Sequence, residues 1–239
     1  MDEHSTMYKA GEGRVCALVL AAGRGTRMKS RVPKQFMDLC GKPVIYYSLK
    51  AFEDSEVDDI ILVTGRDSLA YCREQIVDRF GFGKVRAVVE GGEQRYDSVM
   101  QGIRACRGCG CLLIHDGARP MLTRQMIDES IEGARRYGAC VMAVPSKDTV
   151  KIADGDGFAQ STPDRSRVWL IQTPQSFDYD LIRSAYEARE EAGWAATDDA
   201  SVVERYTDVR VKLIMGDYRN IKITTPEDIR LAESFIDGR

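Results

Sequence analysis

The chain has 239 residues, enough for one large domain or two small ones, and 44% hydrophobic with 30% charged content can supply a sizeable core. Its 34 Lys and Arg against 37 Asp and Glu leave a net charge of −3, which argues against general nucleic-acid binding, a role that needs a basic excess. No apolar run approaches the ~18 residues of a membrane span and the N-terminus shows no signal-peptide core, so the expectation is a soluble, cytoplasmic protein with no membrane partner.

A polar leader over residues 1–13 reads as flexible, and residues 14–239 read as a single domain. Val15–Leu20 predicts a short buried strand ending in a glycine turn, and Pro43–Phe52 a helix with proline in its first turn. The pattern repeats with strand Asp59–Thr64 and helix Ser68–Phe80, then strand Val85–Glu90 and helix Gln94–Cys106. Strand Cys111–His115, helix Thr123–Tyr137 and strand Ala139–Val144 complete the first part. Such alternation implies right-handed crossovers and an α/β fold with a doubly wound, mostly parallel sheet. Ligands of such sheets bind beyond the carboxyl ends of the strands, which directs attention to AAGRGTR, TGRD, GGEQR and HDGARP.

The rhythm changes after Pro145. Thr149–Ala153 alternates polar and apolar, Asp154-Gly155-Asp156-Gly157 signals a tight turn, and Phe158–Thr162 runs back, predicting a β-hairpin arm at about 146–167. A lone hairpin is marginally stable in water, so a second subunit is its expected support, giving a homodimer. A strand at Val168–Gln172 follows, with Pro174 placed to stop it. Helices Tyr179–Glu191 and Asp198–Tyr206, a strand around Val211–Met215, Ile221–Thr224 and a helix Pro226–Ile236 finish the chain.

Two histidines, His4 and His115, leave no two-histidine metal site, and His115 reads as a strand-end side chain rather than a base. Seven cysteines scattered through apolar segments read as reduced thiols. Cys106, Cys109 and Cys111 in CRGCGC look like half a zinc ribbon, but no second pair follows, and a Gly-rich turn with incidental thiols is the simpler reading. A zinc-dependent interaction module is the competing one.

The first glycine turn is neither a Walker loop nor a dinucleotide fingerprint, since no Gly-Lys-Ser/Thr follows and Met28 occupies the third glycine position. Arg24, Arg27, Lys29, Arg31 and Lys34 nevertheless crowd around it, which suits a polyphosphate; otherwise it is a solvated turn. Asp116, directly after an apolar strand, could hold Mg²⁺ against phosphate oxygens or simply form the turn before Gly117. Arg119 is then a phosphate clamp or a salt-bridge partner of that turn. Thr197-Asp198-Asp199 makes a good helix N-cap.

LAAGRGTRM, PKQF, GGEQRYDSV, HDGARP, DTVK, IQTPQSF, TDDAS and NIKITTPED occur here in one order over more than 200 residues. In this the chain resembles, from about Val15 onward, the 2-C-methyl-D-erythritol 4-phosphate cytidylyltransferase family of the non-mevalonate isoprenoid pathway. Ribitol-5-phosphate cytidylyltransferases share PKQF, QTPQSF and NIKIT, but AAG, Asp164-Arg165 with Trp169, and TDDAS lean toward the first family. The resemblance implies a Rossmann-like nucleotidyltransferase fold and the reaction of CTP with methylerythritol phosphate to give CDP-methylerythritol and pyrophosphate. It implies that Ala22, Gly23 and Gly25 line the triphosphate, with Arg27 and Lys34 bracketing it, and that Gly92, Glu93 and Ser98 surround cytosine and ribose. Asp116 matches a residue that binds magnesium or another divalent cation, and Lys222 one that reaches the α-phosphate. Arg119, Thr149, Arg165, Thr173 and Thr197 match sugar-phosphate positions, Thr197 in addition to its place at the N-cap. The arm would exchange across a homodimer, so that Thr149 and Arg119 serve the neighbour's site. Glu93 stands where aspartate is common and Gly117 where alanine is, both beside the nucleotide pocket.

The acceptor phosphate is already largely dianionic at neutral pH, its second pKa being ~6, so the attack needs no general base. Arg27, Lys34 and Lys222, with the metal, are expected to carry the electrostatic load. A nucleotide-sensing protein of the same fold is the non-enzymatic alternative. Loss of one bracketing cation would be its signature, and all three are present.

Overall fold

The protein is described here by a computed structural model covering residues 13–23 and 32–236. Most of the N-terminal leader and the middle of the first glycine loop, with Gly25 and Arg27, lie outside the described residues.

Seven strands form one sheet in the order β11-β7-β10-β6-β1-β4-β5. These are β1 (Arg14–Ala21), β4 (Asp59–Thr64), β5 (Val85–Glu90), β6 (Cys109–Asp116), β7 (Ala139–Pro145), β10 (Trp169–Asp178) and β11 (Lys212–Met215). Pairing is parallel between β1 and β4, β4 and β5, β1 and β6, and β7 and β11; β10 runs antiparallel to both β6 and β7. The doubly wound, mostly parallel α/β fold expected from the strand–helix rhythm is therefore present.

Side-chain alternation along the central strands divides the core into two layers. Val15, Ala17, Val19 and Ala21 of β1 face α1 (Val44–Glu53) and α4 (Arg124–Tyr137), meeting Ile45, Leu49, Phe52, Ile127 and Ile131. Cys16 and Leu18 face the other way, against α3 (Arg95–Ala105), α5 (Tyr179–Ala192) and α6 (Asp199–Tyr206), where Val99, Ile103, Tyr186 and Val202 close the second layer. A strand buried on both faces has no polar side to spare, which is why β1 and β4 read as continuous apolar runs. A third, smaller cluster joins Leu39 and Val44 to Ile223 and Ala232 of α7 (Pro226–Ile236), fastening the C-terminal segment to the domain.

Three local expectations need correction. The helix expected over Ser68–Phe80 opens with a 3-10 turn and three α residues, α2 (Leu69–Tyr71), and then widens into a π-helix over Cys72–Asp78. β6 begins at Cys109 rather than Cys111, so two of the three CRGCGC cysteines are buried strand residues, and the turn is confined to the stretch before them. Pro174 does not stop β10: the strand continues to Asp178, and the proline falls in the irregularity between Ile171 and Gln175, where a missing N–H breaks no ladder.

Short antiparallel pairs complete the chain. β2 (Asp38–Leu39) pairs with β3 (Lys42–Pro43), and the arm is built from β8 (Ile152–Ala153) and β9 (Ala159–Ser161), shorter than the sequence suggests. Its turn is closed by Asp154, whose Oδ1 accepts from the backbone N–H of Asp156 (3.0 Å) and of Phe158 (2.9 Å), while Gly157 takes φ 88°. Phe158 stays 72% exposed at its tip.

Candidate active site

From β1 the chain steps outward to β4 and β5, then returns to β6 on the other side of β1. The loops after β1 and β6 therefore lie side by side at the carboxyl edge of the sheet, where ligands of such folds bind. Because β10 is reversed, its N-terminal half reaches the same edge, where Thr173 Oγ1 accepts from the backbone N–H of Asp116 (3.1 Å).

Asp116 is the electrostatic centre. Its carboxylate is paired with Lys222 (Nζ to Oδ2, 2.7 Å) and with Arg95 (Nε to Oδ1, 3.3 Å). Burial pushes this carboxyl upward, but the Arg95, Lys222 and Arg119 cations overcome it and hold the group well below the usual carboxylate range. Arg95 in turn grips Asp199 through its two terminal guanidinium nitrogens, Nη1 and Nη2 (2.8 and 2.7 Å). The Asp199 side chain is fully buried and also accepts from the Tyr186 hydroxyl at 2.6 Å. Thus TDDAS does two things locally: Asp198 caps α6, accepting from Ser201 N at 3.0 Å, and Asp199 anchors Arg95. Thr197 beside them is exposed.

Two segments close the crevice. Arg119 donates from Nη1 to the Asn220 carbonyl (2.7 Å), and fully buried Asn220 donates to the Thr173 carbonyl (2.9 Å). Ile223 N bonds to Ala118 O (2.8 Å), holding NIKIT against HDGARP. Arg119 Nε and Asn220 Oδ1 are both buried and have no protein partner. Such groups are costly to leave unmatched, and their position beside Asp116 suits a polar ligand. The Arg119 hydrogen bond goes to a carbonyl, and burial lowers its pKa while the charge of Asp116 opposes that effect.

His115 is fully buried, between the Thr173 hydroxyl (Nδ1, 3.0 Å) and the Arg119 carbonyl (Nε2, 3.2 Å). The Arg119 carbonyl can only accept, so the neutral ring is assigned as the Nε2–H tautomer and its Nδ1 accepts from the Thr173 hydroxyl. Burial depresses its pKa to about 4, with Asp116 opposing. A neutral ring with both nitrogens engaged is a strut, as its strand-end position suggested.

The glycines of GGEQR are explained by close approach. A Cβ on Gly91 would lie 2.8 Å from Ala22 Cβ and 2.6 Å from Ser98 Oγ, and one on Gly92 would strike Asp97. Gly92 N–H donates to buried Ser98 Oγ at 3.1 Å, so the loop after β5 lies against the loop after β1, with Glu93 exposed beside it. Gly117 is similarly tight, its imagined Cβ 3.0 Å from Leu20 O. Gln35, buried next to Lys34, donates to the carbonyls of Ala21 and Gly23 and so ties the far side of the glycine loop to β1.

Asp116, Gly117, Arg119, Thr173 and Lys222 are thus brought together, and Ala22, Gly23, Lys34, Gly92 and Ser98 line the adjoining loops. Thr149 and Arg165 are exposed near the arm, Arg165 bonding to the Lys147 carbonyl (3.1 Å); among the described residues neither shares a hydrogen bond with the Asp116 cluster. Residue-by-residue reading gave no role to Arg95, Gln35, Asn220 and Gln175, and gave Asp199 only a place at the N-cap. All five fall inside the ordered motifs, so the signal was present, but their work is to hold other residues.

The family model described as IspD: 2-C-methyl-D-erythritol 4-phosphate cytidylyltransferase matches residues 15–238. Relatives bearing the same enzyme name, from Lachnoclostridium phytofermentans and Lachnospira eligens, are each 50% identical over 224 and 225 residues, 93% of this chain and 96% and 99% of theirs. Among solved structures, 4-diphosphocytidyl-2C-methyl-D-erythritol synthase from Anaerococcus prevotii superposes with TM-score 0.84 at 35% identity, covering 94% of this chain and 96% of that one. The 2-C-methyl-D-erythritol 4-phosphate cytidylyltransferase of Thermus thermophilus gives TM-score 0.75 at 29% identity, covering 94% and 99%.

Two outcomes follow from the charge arrangement. Arg95→Gln strands Asp199 in the core without its cation, and should cost about 3–5 kcal/mol in urea unfolding. For His115, the folded pKa of about 4 lies below the unfolded ~6.5, so the unfolded chain binds more protons between these values. Stability should be complete above pH ~6.5 and fall by up to about 3 kcal/mol as pH drops toward 4. His115→Gln should flatten that slope in unfolding curves measured across the window.

Proposed function

The chain belongs to the 2-C-methyl-D-erythritol 4-phosphate cytidylyltransferase family, and from that premise we propose that the crevice around Asp116 is where its chemistry takes place. The protein is a nucleotidyltransferase that moves a cytidylyl group from CTP to 2-C-methyl-D-erythritol 4-phosphate, giving CDP-methylerythritol and pyrophosphate in isoprenoid precursor biosynthesis. The family match and the relatives' names do not favour ribitol phosphate as acceptor.

The observation that carries the site assignment is the Lys222–Asp116 pair at 2.7 Å, at the sheet's carboxyl edge beside unpartnered Arg119 Nε. An acceptor phosphate oxygen attacks the α-phosphorus in line; the new P–O bond forms as the bond to the pyrophosphate oxygen breaks. Both reactants are anions, so cations fixed before they arrive supply most of what catalysis requires. Lys222 meets the charge developing on the α-phosphate, and Arg27 and Lys34, with Ala22, Gly23 and Gly25, take the triphosphate. Gly92, Glu93 and Ser98 surround the nucleoside, while Arg119, Thr173 and Thr197 receive the sugar phosphate. No base is needed, in keeping with a neutral, fully engaged His115.

Asp116 suits Mg²⁺ or another divalent cation: it is a hard oxygen donor kept ionised by its neighbours. With one carboxylate offered, the remaining ligands would be phosphate oxygens and water, the habit of magnesium. When bound, the cation neutralises charge on the triphosphate.

The arm is read as the contact of a homodimer, and the protein as cytoplasmic. Ile152 and Phe158 of the arm expose 48% and 72% of their surfaces, and Leu170 at the start of β10 exposes 51%, apolar surface that a partner would cover. In such a dimer Thr149 would serve the neighbour's site, whereas the bond of Arg119 to Asn220 of its own chain supports action at its own site.

Pyrophosphate release from CTP should be strong with methylerythritol phosphate and weak with ribitol 5-phosphate; a reversed preference, or CTP binding without turnover, would overturn the reading. Lys222→Met should lower kcat/KM roughly 10²-fold, about 3 kcal/mol. Sedimentation should find twice the chain mass, and Phe158→Asp should shift it toward monomer; an unchanged dimer would remove the arm from the interface.

A further inference from the structure

Arg189, on the last turn of α5, is an arginine used as a core residue: its side chain is only 8% exposed. Taking a guanidinium out of water is costly unless its N–H groups are matched and its faces covered. Both conditions are met here, by two different segments of the chain. The guanidinium lies 3.6 Å from the centre of the Tyr96 ring, and Nη1 stands 3.4 Å from Asp97 Oδ1. On its other side Nε donates to the carbonyl of Trp194.

Tyr96 and Asp97 lie in the first turn of α3, against which the loop after β5 is folded. Asp97 Oδ2 accepts from the backbone N–H of Gln94 (3.3 Å), and a Cβ on Gly92 would strike Asp97 Cβ, so the position of Asp97 fixes that of the loop. Trp194 begins the link between α5 and α6. Gly193 ends α5 with φ 62°, and the chain then runs through Thr197 to Asp198, the N-cap of α6. Gln175 holds the far end of this link, its Nε2 donating to Asp198 Oδ2 (3.0 Å). Arg189 holds the near end. Arg95 already ties α3 to the start of α6 through Asp199, and Arg189 adds a second tie from the same turn of α3. One tie alone would leave a hinge; two fix the segment bearing Thr197 relative to the loop bearing Gly92.

We propose that Arg189 is a positioning residue that sets the acceptor-side segment Trp194–Asp198 against the nucleotide loop, so that binding of either substrate prepares the place of the other. This rests on the assignment of Gly92 and Ser98 to the nucleoside and of Thr197 to the sugar phosphate. Arg189 itself touches neither substrate. A nucleotide that fixes the loop after β5 fixes Asp97 and, through Arg189, the carbonyl of Trp194. The acceptor then meets its segment already in place for in-line attack. Because coupling between binding sites is reciprocal, the acceptor must tighten the nucleotide by the same factor.

The test measures binding of α,β-methylene-CTP, whose α–β bridge cannot be cleaved, to the full chain by titration calorimetry. Magnesium is present throughout, and methylerythritol phosphate is either absent or saturating. The unaltered protein should bind the analogue more tightly with acceptor present, on the order of 5- to 150-fold. Arg189→Met, which keeps the length and the apolar stem, should bring this ratio close to one, and Arg189→Lys should restore part of it. Asp97→Asn keeps an oxygen for the cap while removing the charged contact, and should also lower the ratio; it carries the test if urea unfolding finds Arg189→Met unfolded. A merely structural role would lower the urea midpoint or weaken both single affinities and leave the ratio where it was. An unchanged ratio in folded Arg189→Met, or no tightening in the unaltered protein, would overturn the proposal. Thr197→Val separates it from the site assignment. An unaltered acceptor KM there removes the segment from the acceptor site and the proposal with it, whereas a raised KM beside an unchanged ratio in Arg189→Met removes the proposal alone.

Discussion

The guanidinium of Arg95 connects the buried framework to the charged crevice. On one side it satisfies both oxygens of Asp199, a carboxylate without solvent contact; on the other it contacts Asp116, which also holds Lys222. A buried acid is tolerable only with a cation in good geometry, so Asp199 commits Arg95 to one position. Arg95 and Lys222 then commit Asp116 to its ionised form at the strand end. The first turn of α3, the cap of α6, the end of β6 and the C-terminal segment thus meet through one chain of charges. Preorganisation for an anionic ligand is inherited from the core rather than from flexible surface lysines.

The reversed strand β10 has comparable reach. A fully parallel sheet would carry this segment's start to the far edge. Running backwards between β6 and β7, it delivers Thr173 to Asp116 and His115, and Gln175 to the N-terminus of α6. Gln175 Oε1 accepts from the backbone N–H groups of both Asp199 and Ala200 at 2.9 Å, so the strand also positions the acid on which Arg95 depends.

Much of this was legible in the chain. Apolar runs such as DIILVT and CLLIHD declare strands covered on both faces, and glycines after strands mark the edge where ligands bind. The family signature followed from the order of eight motifs, because order over that length is far more restrictive than any single Gly-x-Gly. What escaped was whatever depends on contacts between distant segments. Nothing near Asp199 announces that its partner is Arg95, more than a hundred positions earlier. The π-helical widening after Tyr71 and the passage of β10 through Pro174 are likewise tertiary outcomes that override local preference.

The order of strands in the sheet also bears on how the chain is assembled. β6 and β7 are made early and joined through α4, yet they are not neighbours: the place between them belongs to β10, synthesised only after the arm. A nascent chain emerging from its N-terminus must leave that slot open, with two strand edges unsatisfied, until β10 arrives to fill it. β11 then adds outside β7, and the segment bearing Asn220 and Lys222 docks last. The half of the domain built on β1, β4 and β5 can condense first, whereas the crevice stays incomplete until nearly the whole chain has been released. The two vacant edges make that interval the one in which the polypeptide is most exposed to pairing with the wrong strand.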